Sequence, residues 1–131
     1  MAYHIYLVDD DRFLLDLYAV KFKNAGQDVT IFPGGEELLT ELRKQDTVAP
    51  DAILLDVIMP GMTGFETLEA LHKEDLVKNA KIIFLSNQGQ DSDIEKAKEL
   101  SADGYIIKAS AIPSEVFAET MRIIEAGTAS H

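Results

Sequence analysis

The stretch Ala52-Ile53-Leu54-Leu55-Asp56-Val57-Ile58-Met59-Pro60-Gly61 constrains this chain most. Four apolar residues precede one carboxylate, three more follow it, and a Pro-Gly turn closes the run. A short apolar run bounded by turn signals fits a strand buried on both faces. A carboxylate at the end of such a strand is costly unless its charge is used. Asp56 is therefore the first candidate functional residue. The plainer alternative is a turn or helix-capping Asp at a strand end.

Taken in order, the chain alternates short apolar strands with amphipathic helices. Strand segments are expected at 5–8, 29–32, in the stretch that opens at Ala52, at 81–85 and at 105–107. Helices are expected at 12–25, 36–44, 63–73, 92–101 and 113–126. Gly26 is expected to stop the first and Gly127 the last, with 128–131 a frayed tail. Asp91 or Ser92 is expected to cap the fourth helix, and Leu14, Leu17 and Tyr18 to face inward on the first. That leaves Phe13, Leu15 and Val20 for the rim or a docking surface. On the last helix, Phe117 and Met121 are read as core rather than contact residues. Strict alternation with fully apolar strands predicts an α/β fold, a doubly wound five-stranded parallel sheet with helices on both faces. No linker, repeat or low-complexity segment breaks it, so one domain is expected over 1–131, with a core from about 4 to 127.

Composition narrows the function. The 131 residues are 47% hydrophobic and 27% charged, with no cysteine and a formal charge of -11. Such acidity argues against direct nucleic-acid binding, which needs a basic patch. No apolar run approaches the roughly 18 residues that span a bilayer, so no membrane insertion and a cytoplasmic location are expected. Without cysteine there is neither disulfide nor thiolate metal site. His4, His72 and His131 are too scattered for zinc, and no glycine-rich phosphate loop is present.

In a parallel α/β sheet, ligands bind beyond the carboxyl ends of the strands. The polar residues ending the strands are Asp9 and Asp10, then Asp56, Ser86 and Lys108. Two carboxylates about 4 Å apart repel by roughly 4 kcal/mol at an effective dielectric of 20, so three call for a cation. All-oxygen ligands suit a hard ion, magnesium above all. A carboxylate beside such an ion can attack phosphorus, with Lys108 and Ser86 gripping the phosphoryl oxygens.

Val8-Asp9-Asp10-Asp11, Leu55-Asp56-Val57-Ile58-Met59-Pro60-Gly61-Met62-Thr63-Gly64, Leu85-Ser86 and Gly104-Tyr105-Ile106-Ile107-Lys108 resemble the receiver domain of two-component response regulators. The resemblance spans essentially the whole chain and implies the (βα)5, flavodoxin-like fold. It makes Asp56 the phosphoacceptor, Asp10 a direct magnesium ligand, Asp9 a ligand through water and the Ile58 backbone carbonyl a further ligand. Ser86 becomes the switch hydroxyl, Lys108 its cationic partner and Tyr105 the aromatic that changes rotamer with it. Asp11 is expected only to cap the first helix. The implied partners are a histidine kinase or histidine phosphotransfer protein and a downstream protein target on the helix 4–strand 5–helix 5 face; a homodimer also fits.

Three positions depart from the family's habit. Ala109 follows Lys108 where a cis proline is usual; a non-proline cis bond costs about 2.5–4 kcal/mol, so this loop is expected to be strained or to take another path. Ser86 stands for the commoner threonine, which frees its rotamer. Ile58 is apolar where relatives often carry a polar group, and with Gln88 it is expected to shape water access. Two competing readings follow: a weakly switchable receiver used as a scaffold, and a magnesium-dependent aspartyl-phosphate hydrolase. The hydrolase lacks the second acid expected two residues after the nucleophile, where Ile58 stands.

Overall fold

The computed structural model describes residues 2–44, 46–77, 79–87, 90–108 and 111–129, with side chains as far as 126. The elements run β1 (His4–Val8), α1 (Arg12–Asn24), β2 (Asp28–Phe32), α2 (Gly35–Leu42), β3 (Ala52–Asp56), α3 (Gly64–Lys73), β4 (Lys81–Ser86), α4 (Asp91–Glu99), β5 (Gly104–Ile107) and α5 (Pro113–Ala129). The five strands form one parallel sheet in the order β2-β1-β3-β4-β5. The expected doubly wound α/β sandwich is what the chain forms.

Alternation within the apolar strands divides the core into two layers. Tyr6, Val8, Ile53, Leu55, Ile82 and Phe84 face α2, α3 and α4, against Leu38, Leu39, Leu68 and Leu71. Ile5, Leu7, Ala52, Leu54, Ile83, Leu85 and Ile106 face α1 and α5, against Leu15, Phe22, Val116 and Ile124. Each fully buried Leu or Ile contributes about 1.5–3 kcal/mol, so β3, buried throughout, anchors both layers.

The helices differ from expectation in instructive places. On α1 the buried face is Leu15, Tyr18, Ala19 and Phe22. Leu15 turns inward and Leu17 is 43% exposed, the reverse of the expected pair. The spacing 15, 18, 19 and 22 is one clean helical stripe, and a helix rich in leucine offers two such phases. Phe117 packs edge-on against Phe22 at 5.2 Å, and Phe117 and Met121 are half-buried in the layer, as core residues should be. Gly127 does not end α5, which runs to Ala129. A glycine costs a helix only about 1 kcal/mol and stops it only by turning left-handed. Gly26 does so, at φ +90°, and ends α1 as expected. Helix α4 begins at Asp91 with Gln90 as N-cap, and Ser101 at φ +64° turns the chain away after it. Helix α2 ends at Leu42, before Lys44.

The connection from β3 to α3 is built most tightly. Thr63 caps α3 by accepting from Glu66 N while the Glu66 side chain accepts from Thr63 N. Gly64 N donates to Val57 O at 2.8 Å. A Cβ on Gly64 would stand 2.2 Å from the Asp56 carbonyl oxygen, so only glycine lets α3 start against the strand end. Gly64→Ala should therefore destabilise the fold by about 1–3 kcal/mol, the usual range for forced overpacking. Urea unfolding checks this; an unchanged midpoint would mean the loop is not closed in this way.

Candidate functional site

Sheet register gathers the strand ends. Val8 pairs with Leu55 and Asp56 with Leu85, so Asp9 emerges beside Asp56, while Ser86 pairs with Ile107, the residue before Lys108. A cavity of about 290 Å³ opens there, lined by Asp9, Asp10, Asp56, Ile58, Ser86 and Lys108 among others. It lies over the β1–β3 boundary, where α1 and α3 leave on opposite faces.

The charges within it are buried. Asp9, Asp56 and Ser86 are only 3%, 7% and 2% exposed, whereas Asp10 is open to solvent. The Lys108 ammonium donates to Asp9 Oδ2 at 2.6 Å and lies 3.4 Å from Asp56 Oδ1. Asp9 Oδ1 accepts from the Asp11 N–H at 2.9 Å, which orients its carboxylate. Asp11 itself accepts from Leu14 N and caps α1, as expected, while also lining the cavity. Burial, and then the field of Asp9, push the Asp56 carboxyl up to about 7, against the pull of Lys108. Burial disfavours the Lys108 charge, but the hydrogen bond to Asp9 and the fields of Asp56 and Asp9 outweigh it and raise its pKa.

A carboxylate oxygen from each of Asp9, Asp10 and Asp56 lies within 4.8 Å of the others, so these three could hold a metal ion. The set is all oxygen, one member is solvent-facing, and a buried ammonium already sits against two of them. That suits a small hard cation that keeps part of its water. Ile58, 60% exposed, borders the site. Tyr105 lies farther back, half-buried, its ring centroid 6.4 Å from that of Phe84. The peptide after Lys108 and the Gln88 side chain fall outside the described residues.

Leu14 and Asn87 also line the cavity, unanticipated from sequence. Asn87 directly follows Ser86, which is the one signal that marks it; Leu14 reads as an ordinary helix residue. The direct Asp9–Lys108 pair was likewise not anticipated, because it joins residues 99 apart in the chain.

The sequence profile described as response regulator receiver domain matches residues 5–117. The chain belongs to that family. Among curated relatives, the alkaline phosphatase synthesis transcriptional regulatory protein PhoP of Bacillus subtilis is 32% identical over 92% of this chain and 48% of its own length. This receiver spans about half the length of such relatives. Among solved structures, chemotaxis protein CheY4 of Vibrio cholerae superposes with a TM-score of 0.83 at 25% identity, over 94% of this chain and 99% of that one. The BeF3-activated receiver domain of DrrB, from Thermotoga maritima, gives 0.79 at 27% identity, over 95% and 99%. Among the described residues, no helix is long and apolar enough to cross a membrane.

A carboxyl whose folded pKa is raised binds its proton more tightly in the folded state than in the unfolded one. Its contribution to stability is complete below the unfolded value of 3.8 and is lost as pH rises through about 7. Asp56→Asn in metal-free buffer should therefore be more stable than the parent at pH 8, by about 1–3 kcal/mol, with the gap closing by pH 4. Urea titrations at the two pH values measure this; an equal gap at both would refute the raised pKa.

Proposed function

We propose that this receiver accepts a phosphoryl group on Asp56 from a histidine-phosphorylated protein and passes the change to a protein target through α4, β5 and α5. The supporting observation is the buried Lys108 ammonium held between Asp9 and Asp56. It places a fixed cation beside the nucleophile, where the added phosphoryl charge would arrive.

Asp9, Asp10, Asp56 and the Ile58 carbonyl would hold magnesium, which would neutralise the carboxylates and bind a phosphoryl oxygen. An Asp56 oxygen attacks phosphorus, the bond to the donor nitrogen breaks, and the imidazole leaves with the electron pair. Lys108 shifts from Asp9 toward the new oxygens, and the Ser86 hydroxyl donates to another. Ser86 stands on β4 next to β5, so its movement is felt by the Tyr105 ring. The domain is a signalling element that assists its own phosphorylation and dephosphorylation rather than an enzyme with a separate substrate. Lys108 within reach of both carboxylates favours this over the scaffold reading, and the apolar Ile58 leaves the hydrolase without its second acid.

Incubation with acetyl phosphate and magnesium should add the mass of one phosphoryl group to the intact protein. Chelation of magnesium, or Asp56→Asn, should abolish the gain. A gain that survives the substitution would show that Asp56 is not the acceptor. No gain in the folded parent would favour the scaffold.

A further inference from the structure

Helix α4 is attached differently from its neighbours. Helix α3 buries Phe65, Thr67, Leu68 and Leu71, whereas α4 buries Ala97 and leaves most of its polar residues exposed. Beneath it, against β5, lies a cavity of about 190 Å³ lined by Ile94, Ala97, Ala102, Gly104 and Tyr105. The apolar seam that would fix such a helix is thin and incompletely filled.

Two polar contacts to α3 supply what the seam lacks. The His72 ring N–H donates to the Leu100 carbonyl, at the C-cap of α4, at 3.0 Å. The Lys96 ammonium stands over the Phe65 ring, 5.5 Å from its centroid. Phe65 is well placed to carry information. It follows Gly64, whose backbone abuts the Asp56 carbonyl. Its ring packs edge-on against Phe84 at 5.0 Å, two residues before Ser86, and Phe84 in turn approaches Tyr105. The ring's position is thus set by both the strand that carries Asp56 and the strand that carries Ser86.

We propose that Lys96 is a positioning residue, which ties the resting place of α4 to the phosphoacceptor loop through the Phe65 ring and releases the helix when that contact is lost. The coupling to phosphorylation rests on the proposed role of Asp56; the restraint on α4 does not. An exposed cation–π contact biases two helix positions by about two- to fivefold. By linkage, removing it should tighten binding of a phosphoryl mimic that favours the released helix by the same factor.

The test compares Lys96→Met, which keeps the aliphatic stem without the charge, with Lys96→Arg, which keeps the cation. In the unphosphorylated protein, hydrogen exchange of α4 amides should be about two- to fivefold faster in Lys96→Met, unchanged in Lys96→Arg, and unaltered in α3 throughout. Calorimetric titration with beryllofluoride and magnesium should show about two- to fivefold tighter binding to Lys96→Met alone. Unchanged α4 exchange in Lys96→Met would overturn the proposal. Faster exchange with unchanged beryllofluoride affinity would overturn the coupling. Failure of the parent protein to bind beryllofluoride would instead overturn the phosphoacceptor reading and the coupling with it, while exchange would still decide the restraint.

Discussion

Crowding of like charge at the carboxyl edge of the sheet is the interaction on which the rest depends. Parallel register leaves no freedom in the matter: once Val8 pairs with Leu55, Asp9 must emerge beside Asp56. Both carboxylates are then nearly out of water, and a single ammonium cannot satisfy them fully. The pKa of Asp56, raised to about 7, expresses that imbalance. A site arranged in this way is ready for further positive charge, and a carboxylate so placed costs folding energy that a purely structural Asp would not. The unbroken apolar layers on both sides of β3 offset that cost.

From this centre the fold grades from rigid to loosely held. The turn out of β3 is locked by the Gly64 approach and the Thr63–Glu66 capping box, which leaves the Asp56 end little room to move. Across the same sheet face, α4 rides on one buried alanine, an incompletely filled seam and two polar contacts. A stiff site beside a weakly restrained helix is what a switch needs, because small local changes then move one element rather than deforming the whole. The aromatic series Phe65, Phe84 and Tyr105 lies between the two regions.

Much of this was legible in the residues. Strand ends at Asp9, Asp56, Ser86 and Lys108 could be read because each interrupts an apolar run, and strict alternation brings such ends to one edge. Pairwise geometry across that edge could not: nothing in residues 9 and 108 announces a 2.6 Å contact. The phase of α1 is ambiguous in the sequence because Leu14, Leu15 and Leu17 fit two stripes, and only packing in the layer with β1 and α5 selects Leu15. Gly127 misled because a glycine permits a helix stop without compelling one. The weak attachment of α4 is not among the sequence expectations, because its contacts to Phe65 and His72 are tertiary.

Asp56 sits in a site short of positive charge. Carbon-13 NMR titration of the side-chain carboxyls, with and without magnesium, tests it most directly. Asp56 should titrate near 7 without metal and well below that when magnesium is present. A carboxyl that titrates in the ordinary aspartate range and ignores magnesium would contradict the charge-crowded site and the function proposed from it.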